Sequence, residues 1–372
     1  MKLILFVLSL VSFEPIFAHA YPEMARAGYV NCNSCHISVN GGGILNDYGR
    51  ELSKEELAVW KSKDEKSKEH LFAYGALGNG ETPIQKWLKL GGDVRGVYYY
   101  VNAPTYDSGQ TILMQADLQA AAVTDHWALV ASGGASQLQP GQDISFLSRT
   151  HYLQYSFNDQ FRLRGGKFIP AYGITTPDHI TLTRSPLELG YNFESYNLEA
   201  SYITDQWNWF LTGVFGRPDN TVLDRDKGFA VQGAYLFSER VKIGLNAWYG
   251  KKDFSQRWLF GGFGILGITE KLFASTEVDV KDYIGGDHGV ASTQKISYIL
   301  TDGLWIYGLE EYGTTNIPSI DNSTIQDYAI GVQFFPRTHF EFNVAYMKIL
   351  NNDTASGSSG IDTVWFMSHY YL

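Results

Sequence analysis

Residues 32–36 read Cys-Asn-Ser-Cys-His, and the spacing of these side chains limits the chemistry open to them. Two thiols separated by two residues can each add to a vinyl group of one haem, and the histidine that follows is placed to ligate the iron. Cys32 and Cys35 are the only cysteines in 372 residues. A lone pair in an oxidising compartment can instead form a disulfide or act as a redox couple. A zinc site needs a second Cys/His pair, and none follows at metal spacing. The immediate His36, the single pair and an export signal together favour one covalent haem c, with Cys32 and Cys35 as attachments and His36 as axial ligand.

A second axial ligand would tune the iron's potential. The candidates are His179 and Met24, which rank equally. Met24 is near the motif and is the only methionine between the predicted cleavage site and Met114; His179 falls in a long connection within the later part of the chain. His70 ranks behind them, because its charged neighbours fit an ordinary solvated helix face.

Elements that could position this group begin with an export signal. Lys2 supplies the positive end, Leu3 to Val11 are mostly apolar, and Ala18-His19-Ala20 is a small-x-small cleavage site. Residues 1–20 are thus a signal peptide and the mature chain is expected from Tyr21. Residues 21–80 read as a small, partly helical monohaem cytochrome domain. Gly41-Gly42-Gly43 marks a tight turn, Ser53 with Glu56 predicts a capping box for a helix to about Ala73, and Gly75 to Gly80 predicts a flexible link. A domain of this size has a marginal core, so docking into a barrel mouth would help it.

Residues 81–372 behave as an array of hairpins. Short polar turns recur at Thr124-Asp125, Asn158-Asp159, Thr204-Asp205, Ser238-Glu239, Thr269-Glu270, Thr301-Asp302 and Pro336-Arg337, and longer polar or Gly-rich stretches lie between them. The flanks alternate with strand period: Leu272, Ala274, Val278 and Val280 oppose Ser275, Glu277, Asp279 and Lys281, and Phe340, Phe342, Val344 and Tyr346 oppose Glu341 and Asn343. Lipid outside and water inside require this division. The fold class is therefore mainly β, a 16-stranded antiparallel transmembrane barrel, with strands that include 88–102, 145–157, 190–203 and 360–372. An even count returns both chain ends to the periplasm. The composition agrees, with 38 Gly, 24 Tyr, 22 Phe and 9 Trp and only 18% charged residues. The net charge of −10 argues against nucleic acid. Ala171 to Leu189, the longest connection, is the position at which sixteen-stranded porins fold a loop into the lumen.

The combination of signal peptide, one Cys-x-x-Cys-His, short linker and sixteen-stranded barrel resembles the fused cytochrome–porins, which include outer-membrane iron oxidases. Met24-Ala25-Arg26-Ala27-Gly28-Tyr29 before the motif and Leu45-Asn46-Asp47-Tyr48-Gly49-Arg50 after it are similar too. The resemblance implies an outer-membrane electron-transfer protein. Its haem domain would lie on the periplasmic side or inside the barrel. Its partners would be membrane lipid, an extracellular electron donor or acceptor such as Fe(II), and a periplasmic electron carrier. Two rivals stand beside it. One is a solute porin with the haem domain as plug or regulator, for which lumen charges such as Arg162, Arg164, Glu277, Asp279 and Lys281 serve equally well. The other is a haem peroxidase-like enzyme, which would need a distal His–Arg pair that the spacing does not supply.

Overall fold

Alternating side chains leave one apolar and one polar face on each strand, and the chain satisfies both by closing a sheet on itself. A computed structural model describes residues 22–60, 86–137, 143–176, 181–220, 223–284, 288–314, 324–353 and 357–371. The signal segment, His70, His179 and the link 75–80 lie outside the described residues. The strands run from β1 (Leu88–Ala103), β2 (Tyr106–Val123) and β3 (Trp127–Ser136) to β17 (Gly357–Tyr371), each antiparallel to its neighbours. β1 pairs with β17 from Asp93↔Tyr371 to Asn102↔Asp362, so the sheet closes.

The predicted strand 145–157 is broken into β4 (Ser145–Leu147) and β5 (His151–Ser156), both paired with β3. They are two pieces of one barrel strand, so the barrel has sixteen strand positions. The break turns Arg149 inward, where it is buried and meets Asp117 at 3.3 Å and Glu194 at 3.5 Å. Interrupted pairing of this kind re-aims a side chain. The predicted strand 190–203 starts later, as β7 (Ser195–Ile203), because the preceding residues stay with the long connection.

The short turns form where expected. Thr124, Thr204 and Thr269 each accept, on Oγ1, the backbone N–H three residues on, at 3.1, 2.9 and 3.0 Å. One local device therefore closes three hairpins. The faces also match. Val278 is 43% exposed on the outside, while Glu277 is 3% exposed inside. Aromatic side chains ring the outside near both ends: Trp207 against Tyr235 at 4.6 Å by the short turns, and Tyr249 against Trp258 at 4.8 Å towards the loops. An apolar band between aromatic girdles is the outer surface of a bilayer-spanning barrel.

The N-terminal residues form two 3₁₀ turns (Pro22–Ala27 and Cys32–Ser34) and one helix, α1 (Asp47–Glu56). α1 starts earlier than predicted, and Ser53 lies inside it rather than capping it. Asn46 is the cap, its side chain accepting from Gly49 N. Within the described residues there is no separate globular domain. The segment sits in the lumen at the short-turn end: Lys295 bridges Glu23 at 2.8 Å, Lys89 bridges Asp47 at 2.7 Å, and Lys242 Nζ donates to Val30 O at 3.2 Å. The wall facing it is apolar where a water-filled barrel would be polar. Leu236, Phe263, Ile265 and Phe273 pack on Ala25 and Val30.

Candidate functional site

The Cys32–Ser34 turn is closed by Cys35 N and His36 N, which both donate to Cys32 O at 3.2 and 3.0 Å. In a 3₁₀ turn residues i and i+3 eclipse, so Cys32 and Cys35 project on one side. The chain then extends: His36 bridges Leu45, and Ile37 N donates to Ile44 O at 3.1 Å. The reversal between them uses Gly41, Gly42 and Gly43 at φ of 88°, 75° and 66°, a left-handed run that only glycine adopts freely. Gly41 also lies on Cys32, with a notional Cβ 3.0 Å from the Cys32 Cβ.

Asn46 ties this turn to α1. Its Nδ2 donates to Ser34 O at 3.0 Å, its backbone N donates to Cys35 O at 2.8 Å, and its Oδ1 accepts from Gly49 N at 2.8 Å. Gly49 then lets the helix backbone rest on Cys35. Sequence reading set the residues around Asn46 and Gly49 beside the motif only as a similar stretch. The signal that identifies their roles is an Asn followed three residues later by a glycine.

Cys35 is 1% exposed, and burial, then the neighbouring Cys32, pushes its thiol up to about 12. The donor set suits haem attachment, with two thiols on one side of a turn and an imidazole at its end. Open space lies beside that imidazole. His36 borders a cavity of about 310 Å³ and a second of about 60 Å³. The larger has walls from the N-terminal segment (Ile37, Ile44), the strands (Tyr152, Phe168, Asp93) and the long connection (Tyr172, Tyr191). The smaller reaches Cys32, Lys242 and Phe263. Apolar walls with scattered charged groups fit a flat macrocycle bearing two carboxylates, so the residues present fit haem c.

The structure does not bring Met24 to His36. Met24 is fully buried among Leu57, Ile299, Trp305, Phe335 and Tyr371 and lines neither cavity. Its sulfur fills a packed core instead. His179 falls outside the described residues, while Thr175 and Thr176 before it line the larger cavity. A histidine that sequence reading missed, His369, also lines that cavity. Its Nδ1 meets Glu341 Oε2 at 2.8 Å and its Nε2 meets Asp93 Oδ1 at 2.9 Å, so both ring nitrogens are engaged by carboxylates.

The long connection enters the lumen as its position predicts. Arg184 makes two bonds to Glu277, at 2.9 and 2.6 Å, and Tyr172 OH donates to Asp279 at 2.9 Å. Ile174 N donates to Glu277 at 2.9 Å and Leu182 N to Glu311 at 3.0 Å. Arg164 joins the wall to the N-terminal segment, bonding Glu199 at 2.6 Å and reaching Ser38 and Asn40 at 3.1 Å each. Three of the charges read as lumen lining, Arg164, Glu277 and Asp279, thus hold the connection and the N-terminal segment in place.

No family model matches the chain, and neither does any curated protein. Solved structures do match in fold. The outer membrane channel DcaP of Acinetobacter baumannii aligns with a TM-score of 0.58 at 12% identity, over 77% of this chain and 97% of its own. An anion-selective porin from Comamonas acidovorans gives 0.59 at 11%, over 77% and 99%. OprB of Pseudomonas putida gives 0.57 at 8%, over 78% and 95%. The chain therefore has the fold of a porin-like channel barrel.

Proposed function

We propose that the chain is an outer-membrane electron conduit: one haem c, joined to Cys32 and Cys35 and ligated by His36, is held inside the short-turn end of the barrel. The observation that carries this reading is the placement of the Cys-x-x-Cys-His turn within the lumen, with His36 facing open space. When bound, the haem supplies one-electron chemistry between Fe(III) and Fe(II). The chain does the rest. Asn46 and Gly49 fix the attachment turn, the apolar collar around Ala25 and Val30 excludes water beside it, and the barrel sets it between the two sides of the membrane. Fe(II) outside the cell is the proposed donor, and a periplasmic carrier the acceptor.

A second reading has its own support. The barrel fold is that of solute channels, and a cavity of about 310 Å³ opens within it. In that reading the N-terminal segment is a plug. Proteoliposomes separate the two. A conduit reduces an acceptor trapped inside when an impermeant donor is added outside and shows no solute-dependent swelling; a solute channel shows the swelling and no electron transfer.

A further inference from the structure

Resting on the conduit reading, a second question is where electrons leave. α1 crosses the short-turn mouth, from Asp47 beside Lys89 of β1 to Glu56 beside Arg26, which itself donates to Glu270 O at 3.1 Å. Its inner face, Gly49, Ser53 and Leu57, lines the larger cavity. Asp47, Tyr48 and Glu51 are exposed on the opposite side, the spacing of one helix face.

Tyr48 is the link between that surface and the attachment turn. It is 44% exposed, and its ring lies 6.0 Å from that of Tyr29, with their hydroxyls hydrogen-bonded. Tyr29 in turn packs on the buried pair Cys35 and Leu52. Gly49, next to Tyr48, touches the Cys35 backbone. The point where the attachment turn comes through to the outside is therefore Tyr48.

Charge surrounds this point with one predominant sign. Gly28, one residue before Tyr29, lies against Glu239, with a notional Cβ 3.5 Å from Glu239 Oε2. Glu239 and Glu51 are exposed. Among the described residues, the exposed acids of this end, among them Asp205, Glu270 and Asp302, outnumber its exposed bases Lys86, Lys271 and Arg337. Arg240 is half-buried and lies 3.7 Å from Glu270. A partner that docks here without meeting its own sign must present a basic face.

We propose that the outer face of α1 around Tyr48, flanked by Glu51 and Glu239, docks a small soluble one-electron carrier with a lysine-rich face. With haem held by Cys32, Cys35 and His36, each transfer would take one electron from it and give that electron to the carrier's oxidised redox centre.

The test uses the full haem-loaded protein in detergent, reduced with dithionite and mixed with a lysine-rich cytochrome c or with the same cytochrome after succinylation of its lysines. Stopped-flow absorbance reads the transfer. E51K/E239K should slow transfer to the basic carrier about tenfold at low salt, with the gap closing at high salt. The same variant should speed transfer to the succinylated carrier. Tyr48→Ala should slow transfer at every salt concentration. Dithionite should reduce all variants equally, because it is small and needs no docking face. Equal rates for wild type and E51K/E239K with both carriers overturn the proposal. A purified chain with no haem absorbance overturns the conduit reading itself, a result visible before any carrier is added.

Discussion

The backbone of Gly49 rests on that of Cys35: a Cβ at Gly49 would overlap the Cys35 carbonyl and lie 2.9 Å from the Cys35 Cβ. Haem attachment and helix docking are thus coupled at one contact. Gly49→Ala must push α1 away, an overpacking cost of about 1–3 kcal/mol. The haem-loaded fraction, measured by haem stain on denaturing gels, should fall. Gly133→Ala is the control, since nothing lies within 4 Å of a Cβ there. Equal loading in both variants would remove the coupling.

Haem retention through denaturing electrophoresis follows directly from two thioethers. Expressed in a host with cytochrome c maturation, wild type should stain strongly. Cys32→Ala and Cys35→Ala should each weaken the stain, and the double variant should abolish it. Staining of the wild type no stronger than the double variant would leave an ordinary thiol pair.

Both faces of one strand should reject change, for different reasons. Val278→Arg places a charge on the lipid face, which costs about 2–4 kcal/mol near the midplane. Glu277→Ala leaves Arg184 buried without its carboxylate and frees the backbone N–H of Ile174. Breaking such a pair costs about 3–5 kcal/mol. Urea unfolding in lipid vesicles measures both. Tolerance of Val278→Arg would mean that this face does not meet lipid.

The barrel was legible because alternation and turn chemistry are local. Thr124, Thr204 and Thr269 announce their hairpins within three residues, and Val278 and Glu277 declare their faces by type alone. The interruption at Arg149 was not legible, because the acids Arg149 meets there, Asp117 and Glu194, lie far away in sequence. The start of α1 was misread for a related reason. Ser53 and Glu56 have capping-box spacing, but Asn46 also bonds Ser34 and Cys35 and so gains tertiary support. The motif residues were plain, whereas their setting was hidden. Phe263, Phe273 and Trp305 read as ordinary strand aromatics until the N-terminal segment is seen against them. Met24 is a candidate ligand by closeness in sequence, and its packing against Leu57, Ile299 and Trp305 was not legible there, because closeness along the chain does not decide which way a buried side chain points.

The remaining axial position gives a spectroscopic prediction. Met24 is core packing, so Met24→Leu should leave the Soret band and potential unchanged and cost less than about 1.5 kcal/mol, as volume-conserving swaps do. If His179 is the second ligand, His179→Ala shifts both, because loss of an axial ligand changes coordination and solvent access. A shift with Met24→Leu instead would make Met24 the ligand. No shift with either would leave a five-coordinate iron or another ligand.

The last prediction concerns the N-terminal segment as part of the barrel wall. Residues Leu236, Phe263, Ile265 and Phe273 form an apolar collar that the Ala25–Val30 stretch covers together with Ile174. Lys295, Lys89 and Arg164 also reach across to Glu23, Asp47 and Asn40. Removing residues 22–60 would expose much of that collar to water at about 25 cal/mol per Å² of apolar surface and take Glu23 from Lys295 and Asp47 from Lys89. A barrel built to work as an open channel would tolerate the deletion and conduct. A barrel built around the segment should lose stability, seen as a lower unfolding midpoint in lipid vesicles. Planar-bilayer recordings complete the comparison. The full chain should show little ion conductance, and whatever deletion protein inserts should show large, unstable steps. Steady, solute-selective conductance from the full chain would instead favour the solute-channel reading, with the N-terminal segment reduced to a lining of the pore.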